Sequence, residues 1–527
     1  MRGVPCPRTE ANPWGTVLGI FLVVATAYAL SGPGRIDIID GQFRYEVAVS
    51  LLTEGRPALR DPALHSFGLP GRDSLRYAPY NFGASVAGLP FVWLGRVLGD
   101  PGGETQRFLF SLTSAVAGGL LASALYLFYR TLGLENRPAL GWTAVSAFGT
   151  LLWPLATSTF DQAQHAVLVL LAVQLGRASV RQDSAWLAVA GGLVAAALLN
   201  YQETYLVLVP GLALSTVTSS RRPWSDTGSW RRLCWFMAAS MLGVAAWLAY
   251  NAVRFGNPLF FFGKWPQEGH PAGSVLANPI AGFFSLMFSP GKSILLYSPP
   301  LVLGLLGMRG LWRKEPILAL TVITVSIVQL AFVSSLRFFG SDWAWGPRYL
   351  VPLLPLWALA FPFVDVATIR RSVVAAVVGL GVLVQVMAVS MDHQRFFFER
   401  SLPDHFWAQD RWFYFRESAL LARPGEIAAS LRDGMPSTAR WFAPTPYPNA
   451  LTYSIFGNTR RELAPRWMRQ FQVFYLPRPW PLWMRTVPPE RRPVSLGPTV
   501  IGLLGVGFLG VGLIHRSAHK RLRREAL

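Results

Sequence analysis

The residues best suited to chemistry follow the first long apolar run, in Arg35-Ile-Asp37-Ile-Ile-Asp40-Gly41-Gln42-Phe43-Arg44-Tyr45-Glu46-Val47-Ala48. A carboxylate in a partly dry site beside a hydroxyl acceptor can act as a general base. A neighbouring arginine, Arg35 or Arg44, favours its ionised form. Asp40 ahead of Gly41 also has the makings of a helix cap, accepting from the free N–H groups of a first turn. The spacing leaves both roles open. Tyr45, Ala48 and Leu52 then mark one face of an amphipathic helix.

Four further groups carry polar chemistry into apolar surroundings. Asp161 and His165 stand four apart in Thr159-Phe160-Asp161-Gln-Ala-Gln-His165. They could bond each other, cap their helix, or orient a substrate or a phosphate head. One Asp–His pair offers too few ligands to establish a metal, so no cofactor is required and a divalent cation is left open. Arg348, in Trp343-Ala-Trp345-Gly346-Pro347-Arg348-Tyr349, suits either phosphate binding through its fork of donors or interfacial anchoring with Trp343 and Trp345. Lys292 after Ser289-Pro290-Gly291 could bind phosphate or snorkel at a helix start. Glu203 interrupts an apolar region, where an acid is a functional suspect, and Arg254 is a weaker one.

The elements that must position these residues are membrane helices. Of the 527 residues 52% are hydrophobic and 14% charged, with 20 Trp and 34 Phe; an average soluble domain is roughly 25% charged. A bilayer core takes about 20 apolar residues per helix. Runs near that length occupy 14–32, 106–129, 138–157, 162–180, 184–199, 203–219, 232–252, 293–308, 316–336, 349–366, 372–391 and 497–514. The expected fold is therefore an all-α polytopic membrane protein of about twelve spans, with 14–31 an uncleaved first helix. Basic residues recur in every second loop, from Arg2 and Arg8 through Arg130, Arg177, Arg221, Arg309 and Arg370 to the tail Arg516–Arg524. This alternation places both termini in the cytoplasm. Segments 33–105, 253–292 and 392–496 then lie outside. The organisation is a transmembrane module over 1–391, an extracytoplasmic segment over 392–496, and a last helix with a basic tail over 497–527. Segment 82–98 is too short and Gly-rich to span and reads as an interfacial or re-entrant helix.

The net charge of +20 is nearly all Arg, since only Lys264, Lys292, Lys314 and Lys520 are lysines. It falls between apolar runs without RNA-binding aromatic patterns, which excludes nucleic acid and points to anionic lipid. Cys6 and Cys234, the two cysteines, fit neither a disulfide framework nor a zinc site.

The stretch Asp40-Gly-Gln-Phe-Arg-Tyr-Glu-Val-Ala48 through Gly55 resembles the first extracytoplasmic loop of the GT-C membrane glycosyltransferases, in the protein O-mannosyltransferase and aminoarabinose-transferase branch. Similar matches follow in order: Tyr77-Ala-Pro79-Tyr80-Asn81, the Asp161 segment, Tyr250 to Leu259, Phe288 to Ser293 and Trp343 to Pro352. The resemblance covers about residues 14–390, and 392–496 matches nothing. It implies that Asp40 is the catalytic carboxylate, with Asp37 and Asp161 as further acids. Arg348, His165, Lys292, Glu46 and Tyr80 are the implied donor-phosphate or substrate-binding residues. Gly41 departs from the family's Glu, and Asp37 is the candidate substitute.

The activity so implied is inverting transfer of a sugar from a polyprenyl-phosphate donor to an acceptor hydroxyl on the extracytoplasmic face of the cell membrane. The acceptor class (lipid, glycan or protein) is open. The competing readings are a lipid-linked glycan flippase or transporter and a non-catalytic membrane assembly protein of the same fold. Against the first, no two-half repeat is visible.

Overall fold

The computed structural model describes residues 13–525 apart from 33, 35, 62–63, 65–67, 99–103, 220–224, 261–275, 338, 341–343, 366–368, 391–411, 416–417 and 434–495. Cys6, Arg35, Trp343, Lys264 and most of segment 392–496 thus lie outside the described residues.

The described chain is built of helices. In order they are α1 (Trp14–Ser31), α2 (Ile39–Glu54), α3 (Gly83–Val97), α4 (Glu104–Ser111), α5 (Thr113–Thr131), α6 (Asn136–Phe148), α7 (Leu152–Ala156), α8 (Gln162–Arg181), α9 (Ala185–Leu199), α10 (Val209–Ala213) and α11 (Thr227–Phe255). The second half carries α12 (Pro279–Phe288), α13 (Ile294–Tyr297), α14 (Leu301–Lys314), α15 (Pro316–Ser335), α16 (Leu354–Ala358), α17 (Arg371–Val389), α18 (Ala419–Asp433) and α19 (Leu496–Glu525). One small antiparallel pair lies between α2 and α3: Leu69 faces Tyr77, and Pro70 faces Arg76.

Among the described residues six helical stretches are long and apolar enough to cross a membrane: Trp14–Ser31, Thr105–Thr131, Gln162–Arg181, Thr227–Phe255, Pro316–Ser335 and Arg371–Val389. Shorter apolar helices occupy Ala185–Leu199, Pro279–Phe288 and Ile501–Ser517. On this ground the chain is a membrane protein. Four of the apolar runs are interrupted. Run 138–157 divides into α6 and α7; 203–219 is α10 flanked by 3₁₀ turns; 293–308 breaks at Ser298-Pro299-Pro300; 349–366 is a 3₁₀ turn at Arg348–Leu353, then α16, then a turn at Phe361–Phe363. Proline is the shared cause. Pro154, Pro210, Pro299, Pro300, Pro352, Pro355 and Pro362 bring no N–H to a ladder and clash with the turn before. Side chains take over some of the freed groups: Ser298 Oγ accepts from the Leu151 amide (2.9 Å), and Gln385 donates to the Tyr297 carbonyl (2.7 Å). Such repair is what apolar surroundings demand of a broken helix.

The segment read as interfacial, 82–98, forms α3, fifteen residues with Pro90 inside it. At about 1.5 Å per residue it is shorter than a bilayer core.

Candidate active site

The site is set by α2. On one side Tyr45 and Ala48 pack with Ile36, Val92 and Phe110. On the other, Phe43 and Val47 pack with Leu59, Leu64 and Ala78. The helix is wedged between two apolar clusters and stops at Gly55, whose left-handed φ of 67° suits a glycine cap. Asp40 and Arg44, four apart, then stand one above the other on the same face. Asp40 lies in the first turn of α2, where a negative charge suits the helix dipole, but no side chain caps that helix.

The Asp40 carboxylate is held from two sides. Tyr80 donates its hydroxyl to Oδ1 at 2.7 Å, and Arg348 Nη1 lies 3.2 Å from Oδ2. The two charged side chains are 15% and 12% exposed, so the pair is largely dry with one edge open. Arg348 also stacks over the Phe160 ring, 4.3 Å from its centre. Burial pushes the Asp40 pKa up, and Arg348, Arg44 and the Tyr80 hydroxyl pull it down by more; the carboxyl ends below its ordinary value.

A second ion pair stands beside the first. Arg44 Nη2 reaches Asp161 Oδ2 at 2.8 Å while its guanidinium sits 5.0 Å from the centre of the Tyr80 ring. Asp161 precedes α8 and its side chain makes no cap bond to that helix. His165 Nε2 lies 3.3 Å from the same carboxylate, without hydrogen-bond alignment, and Nδ1 is 2.8 Å from the Tyr205 hydroxyl. Burial raises the Asp161 pKa, but Arg44 and His165 outweigh it and hold the group far below the usual carboxylate range. Asp40, Tyr80, Arg348, Arg44, Asp161 and His165 therefore form one connected array drawn from four separate stretches of chain.

Three candidates stand apart from it. Asp37 accepts from both the amide (2.8 Å) and the hydroxyl (2.6 Å) of Thr159. This buried clamp joins the start of α2 to the start of α8, and burial raises the Asp37 pKa against those hydrogen bonds. Glu46 faces α4, accepting from Gln42 at 3.2 Å, with Arg107 Nη2 at an ion-pair distance of 3.7 Å. Burial raises its pKa as well. Lys292 is fully buried, and its ammonium donates to the carbonyls of Ala344 (2.8 Å) and Gly346 (3.2 Å), just ahead of Arg348. It acts on the loop that carries the arginine. Arg254 likewise braces the Tyr80 loop, donating to the carbonyls of Ala78 and Tyr80 (2.7 and 3.1 Å), and Glu203 accepts from Asn81 at 2.7 Å.

The clamp accounts for Gly41. A Cβ there would fall on Thr159 Oγ1, with the Thr159 Cβ at 2.7 Å. The close seating of α2 on the Thr159 loop leaves no room for a Glu. Thr159, Phe160, Tyr205, Tyr349 and Arg107 were not singled out by sequence. Thr159 and Phe160 immediately precede Asp161, which is the one signal that pointed to them. Among the described residues no three His, Cys, Asp or Glu side chains gather as a metal would require. The two acids of the array face arginines instead.

No family model matches the chain, and no curated protein does. Among solved structures, ArnT from Cupriavidus metallidurans in the apo state aligns at 16% identity over 78% of each chain, with a TM-score of 0.48. The same protein bound to undecaprenyl phosphate aligns at 18% identity over 80% of each chain, with a TM-score of 0.41. The archaeal oligosaccharyltransferase AglB from Archaeoglobus fulgidus, in complex with an inhibitory peptide and a dolichol-phosphate, aligns at 11% identity over 81% of this chain and 59% of its own, with a TM-score of 0.44.

Proposed function

We propose that the chain transfers a sugar from a polyprenyl-phosphate donor to an acceptor hydroxyl, with Asp40 as general base and Arg348 as the group that receives the donor phosphate. One observation carries the reading. A carboxylate kept ionised in a largely dry site is paired to an arginine fork, at the start of a helix that follows an apolar span. The donor class comes from the motif resemblance.

In this mechanism the donor phosphate draws Arg348 off Asp40, freeing the carboxylate. The acceptor oxygen attacks the anomeric carbon while its proton passes to Asp40. The bond from that carbon to the phosphate oxygen breaks, and the phosphate leaves with the electron pair, inverting the centre. Arg348 holds the negative charge that gathers there, a task suited to a fixed donor in a dry site. Tyr80 and the Arg44–Asp161 pair hold Asp40 and its surroundings in place.

The test is turnover of radiolabelled polyprenyl-phosphate sugars by purified protein in lipid. Asp40→Asn should lose about 10²–10⁴-fold in kcat, the usual worth of a general base. Equal turnover by the folded variant would remove Asp40 from the mechanism. Absence of turnover by the wild type, with lipid movement across liposomes, would replace the transferase reading by a flippase.

A further inference from the structure

The segment after α17 matches no motif, yet its described part grips the loop that presents Arg348. We infer that Trp412 and Arg423 are positioning residues that act through Arg348, so that residues 412–415 and 418–433 form a strap that fixes the donor-phosphate arm. This rests on the transferase reading only for the identity of the ligand.

The loop Ala344–Pro347 is held through its carbonyls and through its Trp345 ring. Lys292 Nζ donates to two of its carbonyls, and the Trp412 ring covers that ammonium, 4.7 Å from centre to nitrogen. The Trp345 indole is completely buried, with Tyr297 edge-on at 5.2 Å and the Arg423 guanidinium 5.0 Å from its ring centre. Gly346 turns the chain with a left-handed φ of 70°, which places Arg348 two residues on. Trp412 and Arg423 each take part in one of these grips.

The strap is itself tied down. The Gly291 amide donates to the Trp412 carbonyl at 3.0 Å, and Ser418 donates to the Pro290 carbonyl at 2.5 Å. The Leu420 amide donates to the Tyr297 hydroxyl at 3.2 Å. Arg423 is fully buried, paired with Glu426 at 3.0 Å, and donates to the Met387 and Ala388 carbonyls at the end of α17. A Cβ on Gly340 would strike the Trp412 indole, so the backbone at Gly340 passes directly against that ring. A buried cation stacked on an indole is a costly arrangement to build for surface cover. Both such cations, Lys292 and Arg423, bear on the same four-residue loop.

The experiment has two readouts on full-length protein in lipid nanodiscs. The first is amide hydrogen exchange over 340–350 in wild type, Trp412→Ala and Trp412→Phe. Trp412→Ala should expose these amides while the α2 amides stay protected, and Trp412→Phe, which keeps a ring over Lys292, should restore most of the protection. Unchanged exchange, or exposure spread through the whole bundle, overturns the inference whether or not the protein turns over any donor. The second is a double-mutant cycle on kcat/KM for the sugar donor. Trp412→Ala should cost about tenfold with Arg348 present and less than about twofold in the Arg348→Ala background, because groups that act in series are not additive. An equal loss in both backgrounds assigns the strap to general stability. A wild type without turnover sinks the proposed function and leaves the exchange result to decide this one.

Discussion

Asp40 and Asp161 are two carboxylates with nearly the same company, yet the structure gives them different freedom. Asp161 is enclosed, with Arg44 at 2.8 Å and His165 beside it. Asp40 has the longer ion pair, 3.2 Å, and the more open edge. The second is the acid that can exchange its partner for a substrate. Its charge is maintained by Arg348, Arg44 and Tyr80 against burial. Asp40 titrates below the ordinary value, so the base stays ionised as pH falls past the point where a free Asp would protonate, and the acid limb of kcat/KM lies correspondingly low. Removing Arg348 leaves burial with less opposition, which raises the pKa. Arg348→Ala should therefore shift the acid limb upward in pH as well as weaken donor binding, and a pH–rate profile of the two proteins measures it. A limb that stays in place would mean that Arg348 does not face the base. At this scale the sequence disclosed the acids and the arginine but not their pairing. Arg44, four residues from Asp40, does favour its ionised form, but its ion pair is with Asp161, a contact between α2 and the start of α8 more than a hundred residues away.

The elements were legible where a run of apolar residues was long and free of proline. The runs that became α1, α8, α15 and α17 are continuous helices within a few residues of where hydropathy puts them. Hydropathy counts apolar residues and ignores backbone donors, so 349–366 reads as one continuous run where the structure has a 3₁₀ turn, α16 and a second turn. The position of α2 was less legible still, for its placement depends on a long-range clamp from Asp37 to Thr159 that no local pattern reveals. The seating of α2 gives a sharp expectation. Gly41→Ala puts a methyl on Thr159 and should cost about 1–3 kcal/mol, as overpacking does. Gly379→Ala, where nothing lies within 4 Å of the added Cβ, should be neutral or mildly stabilising in its helix. Thermal unfolding in detergent distinguishes the two, and equal midpoints would show that the Thr159 loop yields freely.

The molecule as a whole is drawn together by small residues. A Cβ at Gly19 of α1 would meet the Gly510 carbonyl of α19 at 2.6 Å and Ile514 at 2.7 Å, and one at Gly510 would meet the Gly19 carbonyl at 2.8 Å. Close backbone approach of this kind is how helices associate where lipid offers no hydrophobic drive. Gly19→Val should therefore separate the two helices, seen as a loss of crosslinking between cysteines introduced at their facing ends, while a valine at exposed Gly502 should leave it intact. The orientation rule could assign both helices a direction but could not make them neighbours, since nothing in their composition names a partner.

That neighbourhood has a consequence in time. Among the described helices, α1 is the first to leave the ribosome and α19 the last. The notch at Gly19 stays open to lipid, or to any passing helix, throughout synthesis of everything between them. Its closure is a late event that requires residue 510 to have been made and inserted. A chain released before residue 510 is made therefore leaves the Gly19 face of α1 without α19. The seam between these two helices is set by the order in which they are made.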